Sequence, residues 1–381
     1  MLRLLLPLVL ALAAPLGFAQ QEETRESLNR KAIEALVAKK YDEGIALLDR
    51  ILVLSPKEKG TAYNLACAYS LKGELDKAFE WIDKAAEWGW GEGEGQIYGM
   101  DAKGRISEVE MLKQDPDLEN VRKDPRFEKV IERLAKANQV REARKKAGEE
   151  YAATAAIHIP EKAKGLAEMP ILVVLHDAGS TKDAVVAGRW KEIADELGFA
   201  LIAPSGKLLV GEEPAKGMTW FDDQAAYKAK YWTFEKPILD AVSAFKKEHP
   251  IDKSRLVIAG EGLGGFVAVN AAIVNPGMIK GVVALGQGVN AELMAAKAPT
   301  AGKMGLRVRI LADPADLSKR IVAEGGQAAD AQKVIEGWTK SLQTWGIHGE
   351  VQTISADAAA AKAQIVEAIG AVLAREAAAA K

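Results

Sequence analysis

The sequence predicts an α/β protein, a doubly wound, mostly parallel sheet with an all-α module in front of it. Three observations carry that reading. From Tyr151 onward, short continuous apolar runs alternate with helical stretches, the pattern of strands buried on both faces by crossover helices. Within that region Arg255 to Ala259 is an apolar strand, Gly260-Glu261-Gly262-Leu263-Gly264 a glycine-packed turn, and Gly264 to Val274 a helix of small residues. Ahead of Tyr151 the periodicity is helical.

With 381 residues, 49% of them hydrophobic, the chain is too long for one ordinary domain and too apolar for disorder. Its 51 lysines and arginines nearly cancel 53 aspartates and glutamates, so no basic field exists to recruit nucleic acid or an anionic membrane surface. Residues 1–19 read as a secretory signal peptide: Arg3 gives a positive start, Leu4 to Leu16 an apolar run, and Gly17-Phe18-Ala19 a cleavage site between small residues. That run is interrupted by Pro7 and Pro15 and is shorter than the roughly 20 residues a spanning helix requires. The expectation is an exported protein, periplasmic or extracellular, with no membrane span. The single cysteine, Cys67, permits no intramolecular disulfide and reads as a small buried side chain.

Taken in order, the chain first repeats itself. Lys40-Tyr41-Asp42-Glu43-Gly44-Ile45 aligns with Glu74-Leu75-Asp76-Lys77-Ala78-Phe79, Tyr41 falling on Leu75 and Gly44 on Ala78, an offset of about 34 residues. Ser55-Pro56 closes the first unit, Tyr63 to Tyr69 opens the second, and Gly73 marks the turn between its helices. This resembles the tetratricopeptide repeat, with two units visible, and the resemblance implies a surface for a protein or peptide partner. Further on, in Asp115-Pro116-Asp117-Leu118 and Asp124-Pro125-Arg126-Phe127, Asp117 is expected to cap a helix and Phe127 to anchor the core. The helical domain is expected over 27–135, followed by a charged helical linker over 136–150.

The α/β domain is expected over 151–375. Ala152 to Ile159 reads as its first strand and Ile171 to Leu175 as a strand buried on both faces. Thr181 to Leu197 reads as helix, Phe199 to Ala203 as strand, and Tyr227 to Glu248 as a long helix. After the glycine turn come strands at Ile279 to Leu285, Arg307 to Leu311 and Glu350 to Ile354, with helices before and after the last. Short connections of this kind impose right-handed crossovers and a parallel sheet covered on both sides.

The glycine turn resembles the nucleophile elbow of the α/β-hydrolase family, G-x-S-x-G, with Gly262 at the serine position. Other landmarks follow in the family's order: Leu172 to Gly179 where the H-G-x-G oxyanion loop stands, Ala203-Pro204-Ser205-Gly206, Thr219-Trp220-Phe221, Ile251-Asp252 before the elbow strand and Asn275-Pro276 after the elbow helix. The resemblance is nearest to secreted feruloyl esterases and polyhydroxybutyrate depolymerases, and it implies Asp316 at the triad-acid position, with the neighbouring Asp313 open to a reading as the loop's cap. No histidine follows the last strand. His158, His176, His249 and His348 all lie elsewhere, so both the nucleophile and the base of a triad are missing.

The expectation is therefore a non-catalytic hydrolase-like domain with a remnant ligand pocket lined by His176, Trp220, Glu261, Gly262, Leu263 and Asp316, whose ligand the resemblance implies to be a small acyl or aromatic ester. Two competing classes remain open: an active carboxylic-ester hydrolase using Glu261, His176 and Asp316 on water, and a scaffold supporting the repeats. No metal spacing, phosphate-cradling loop or complete dinucleotide fingerprint is present, so no metal or cofactor is expected.

Overall fold

The computed structural model describes residues 24–95, 106–221, 224–323 and 327–374. The expected signal peptide at 1–19 lies outside the described residues. The chain divides into two compact units, Met1–Arg141 and Glu142–Lys381.

The first unit is helical. Helices α1 (Arg25–Val37), α2 (Tyr41–Leu54), α3 (Lys59–Lys72) and α4 (Leu75–Glu87) follow one another through short turns and pack as two hairpins, α1 with α2 and α3 with α4. Local chemistry sets the ends. Thr24 caps α1 by accepting from the Ser27 amide at 3.2 Å, and Gly73 ends α3 in the left-handed conformation at φ 84°. Gly44 and Ala78, matched in sequence, are both buried, and a Cβ on Gly44 would crowd the Leu36 side chain at the α1–α2 crossing. The missing side chain at Gly44 is thus what lets α1 and α2 approach.

Three further helices complete this part, α5 (Glu108–Gln114), α6 (Glu119–Arg122) and the long α7 (Arg126–Ala152). Phe127 is buried in a core with Tyr63, Phe79, Leu118 and Leu134, as its expected anchor role requires. The cap falls two residues earlier than expected. Asp115, not Asp117, caps the 3-10 turn Pro116–Leu118, its carboxylate accepting from the Asp117 amide at 2.9 Å and from the Tyr63 hydroxyl at 2.5 Å. Tyr63 stacks on Trp90 with ring centroids 4.0 Å apart. Burial and the adjacent Asp115 raise both the Tyr63 phenol and the Cys67 thiol well above their ordinary values, so both stay neutral. Cys67 is a buried, inert thiol.

The second unit is a seven-stranded sheet with strands β1 (Ala156–His158), β2 (Met169–Leu175), β3 (Ala200–Ala203), β4 (Ile251–Glu261), β5 (Gly281–Leu285), β6 (Arg307–Ala312) and β7 (His348–Thr353). Their spatial order is β7-β6-β5-β4-β2-β3-β1, parallel except for the antiparallel edge pair β1–β3. Alternate residues of β2 feed opposite cores. Ile171, Val173 and Leu175 join α10 (Gln224–Glu248), α11 (Leu263–Val274), α12 (Ala291–Met294), α13 (Ala298–Lys303), α14 (Pro314–Ala323) and α15 (Asp330–Thr344). Leu172 and Val174 join α8 (Lys182–Ala187), α9 (Arg189–Leu197) and α16 (Ala358–Leu373). All seven β2 residues are buried, which explains the unbroken apolar run. This is the α/β-hydrolase fold that the sequence predicts, with the elbow strand β4 at its centre.

Two elements differ from expectation. Ala152 ends α7 instead of opening a strand, and β1 shrinks to three residues. The cause is Lys182, whose buried ammonium donates to the Tyr151 and Thr154 carbonyls at 2.6 and 2.7 Å and holds the last turn of α7 closed. The helix expected over Thr181–Leu197 breaks at Gly188, which is extended at φ −99° and ψ −156° and starts α9 afresh.

Candidate functional site

The elbow exists in full backbone detail. β4 ends at Glu261, Gly262 adopts φ 48° and ψ −118°, and α11 begins at Leu263. Such a conformation is strained for any residue with a side chain. The flanking glycines are required by close approach: a Cβ on Gly260 would strike the backbone of Gly264, and one on Gly264 the carbonyls of Leu175 and His176. The turn therefore keeps the geometry that presents a nucleophile, without a side chain to present.

What faces Gly262 is a carboxylate. Asp177 Oδ1 accepts from the Leu263 amide at 2.8 Å and from the Ala178 amide at 2.8 Å. Its Oδ2 accepts from Arg320 at 2.8 Å, and Arg320 Nε donates in turn to Asp316 at 2.7 Å. A Cβ on Gly262 would fall under 3.0 Å from the Asp177 carboxylate atoms. An oxyanion hole in this fold consists of the amide after the nucleophile and an amide from the loop after the β2-equivalent strand. Leu263 and Ala178 supply amides of that description, and both are already taken by one oxygen of Asp177. The hydrogen bonds from Arg320 to Asp177 and Asp316 raise the guanidinium further above its usual value, so it stays charged.

The remaining expected site residues are committed elsewhere. Glu261 accepts from the Trp190 indole at 2.5 Å and from Arg189 Nε at 2.8 Å. Asp313 caps α14 (Pro314–Ala323) through the Ala315 amide, which leaves Asp316 as the carboxylate on Arg320. His176 is buried: its Nε2 accepts from the Gly206 amide at 3.2 Å, so its Nδ1 carries the proton and donates to the Asp177 carbonyl at 2.8 Å. Burial pushes its pKa down, against the Asp177 carbonyl, keeping the ring neutral. Trp220 stacks on that ring at 5.1 Å and donates to the His176 carbonyl at 2.9 Å.

Gly262, Leu263 and, through Arg320, Asp316 thus meet at the elbow, whereas Glu261, His176 and Trp220 face other partners. Sequence reasoning missed Asp177, Arg320 and Ser205. Ser205 lies 3.3 Å from His176 Nε2, a serine–histidine pair in appearance, but it is fully buried and its hydroxyl donates to the Gly206 carbonyl at 2.9 Å. Asp177 did leave a signal: it replaces the first glycine of H-G-x-G. Arg320 left none.

No base stands where a triad would need one. The turn after β7 holds Ser355 and Asp357, and Asp357 caps α16 through the Ala360 amide at 2.8 Å. His348 pairs in register with Arg307 at the start of β6, while Asp316 follows the end of that strand. Among the described residues, Cys67, Asp115 and Asp117 place metal-capable atoms within 4.8 Å of one another, but the Asp115 carboxylate there is already spent on Tyr63 and the Asp117 amide.

No family model and no curated protein matches the chain. Among solved structures, esterase PE8 is similar at 16% identity and a TM-score of 0.45, covering 57% of this chain and 98% of its own. A carboxylesterase from Mesorhizobium loti is similar at 15% identity and a TM-score of 0.41, covering 56% and 92%. An uncharacterized protein from Bacillus cereus ATCC 10987 covers 92% of this chain and 98% of its own at 14% identity and a TM-score of 0.40. The assignment of the fold rests on strand order and elbow geometry, and the fold leaves the reaction open.

Proposed function

We propose that this chain is an exported binding protein: a non-catalytic α/β-hydrolase-type domain joined to a tetratricopeptide-like module that docks a protein or peptide. One observation carries the non-catalytic reading, the Asp177 carboxylate lodged on the Leu263 and Ala178 amides in front of Gly262. An acyl oxyanion would need those same two donors. The missing serine and base agree with it, since losing both removes covalent catalysis. The rival reading, water activated by Glu261, His176 and Asp316, finds each of the three already bonded within the fold.

The repeat reading draws on the matched small residues Gly44 and Ala78 at the helix crossings. For export, the expected result is a mature protein beginning at Gln20 in the periplasmic or culture fraction, read by intact mass; a full-length cytoplasmic product would overturn it. For the domain, purified protein and Asp316→Ala are each offered p-nitrophenyl acetate and a feruloyl ester. Both are expected to match buffer. Turnover by the wild type that disappears in Asp316→Ala would establish an esterase instead.

A further inference from the structure

Away from the elbow, the second unit holds a cavity of about 220 Å³ lined by Lys145, Glu149, Gly206, Lys207, Leu208, Trp220 and Pro237. Its floor is apolar, and its walls are fixed by backbone contact. Gly148 of α7 presses so closely on Lys207 that a Cβ there would overlap the Lys207 carbonyl, and a Cβ on Gly206 would overlap the Thr219 carbonyl. The Trp220 ring is held from behind by its stacking on His176 and its indole bond to the His176 carbonyl. Such a site is formed before any ligand arrives.

The rim is charged and unsatisfied. Lys145, Glu149 and Lys207 are exposed, and none of their side chains has a hydrogen-bond or ion-pair partner among the described residues. Among the described lining residues, two cations against one anion leave the mouth net positive. A cavity of roughly 150 Å³ is enough to admit benzene, so this volume suits one ring, or a short chain, with a small substituent.

We propose that this cavity is a binding site for a small apolar-bodied monocarboxylate. Its hydrocarbon body lies against Trp220, Leu208 and Pro237, and its carboxylate meets Lys145 and Lys207 at the mouth. The proposal deepens the ligand-binding part of the function proposed above and rests on it, but it does not use the elbow. Ester turnover by the wild type would sink the non-catalytic reading and leave the cavity intact, whereas absence of carboxylate binding would sink the cavity alone.

The test is calorimetric titration of the full chain with benzoate, benzyl alcohol and benzylamine. Benzoate is expected to bind saturably and at least about fivefold tighter than the neutral alcohol, a difference of about one charge-assisted contact. Lys145→Glu/Lys207→Glu, two exposed changes that leave the core untouched, is expected to weaken benzoate about tenfold or more and to spare benzyl alcohol. Leu208→Trp, which fills the cavity, is expected to abolish both. No saturation by benzoate up to about 20 mM, equal binding by the charge-reversed protein, unchanged binding in Leu208→Trp, or a preference for benzylamine would each overturn the proposal.

Discussion

Placing a serine at the elbow, by Gly262→Ser, is expected to destabilise the protein by about 3 kcal/mol and to yield no esterase activity. Two costs combine. The elbow backbone at φ 48° is free for glycine but costs a side-chain-bearing residue about 1–3 kcal/mol. The new side chain would also meet the Asp177 carboxylate, which must then leave the Leu263 and Ala178 amides and Arg320. Adding Asp177→Gly removes that collision, and about 1–2 kcal/mol is expected to return. Urea unfolding of the wild type, the two single variants and the double variant gives the coupling directly. Strictly additive effects, or a Gly262→Ser protein as stable as the wild type, would show that Asp177 does not occupy the serine's space.

A second large effect is expected at Glu235, which is 3% exposed on α10. Its Oε2 accepts from Asn275 at 3.3 Å, and its Oε1 has no hydrogen-bond partner among the described residues. Burial pushes the carboxyl from 4.5 up to about 7, against the hydrogen bond from Asn275 and the charge of Lys297. The folded state therefore holds this proton more tightly than the unfolded chain does. The stability it contributes is complete below about pH 4.5 and is lost as pH rises through about 7. Above that, keeping an ionised carboxylate buried costs about 3 kcal/mol. Glu235→Gln is expected to gain about 2–3 kcal/mol over the wild type at pH 8 and nothing at pH 4.5. Unfolding midpoints across that range check it; parallel pH profiles for the two proteins would exclude a strained buried acid.

The fold was legible because its signals are local and repeated. The unbroken run Ile171 to Leu175 requires cover on both faces, and Gly260, Gly262 and Gly264 are each demanded by a backbone approach or a positive φ. The site was legible only in what it lacks. Gly262 and the histidine-free turn after β7 can be read from the letters. The carboxylate that fills the gap comes from another loop, and the arginine holding it lies 143 residues further along the chain. No periodicity or spacing links such groups, since only the folded sheet brings β2, α11 and α14 to one end. Boundary errors have the same origin. Lys182, a charged residue that sequence reading leaves in solvent, is buried and closes α7 over residues otherwise suited to a strand.

That lysine also bears on how the gene can be divided. The last turns of α7 look like connecting sequence, yet Gly148 seats on Lys207, Arg144 reaches the Leu209 carbonyl, and Tyr151 and Thr154 shelter an ammonium that burial holds below its usual pKa. A fragment beginning at Tyr151, where strand–helix alternation sets in, would lack a wall of the cavity and most of the helix that Lys182 closes. One beginning at Glu142, inside an apparently seamless helix, keeps that wall and the last turns, which carry Gly148 and Tyr151. The compact unit that holds this sheet thus starts nine residues before its sequence pattern does.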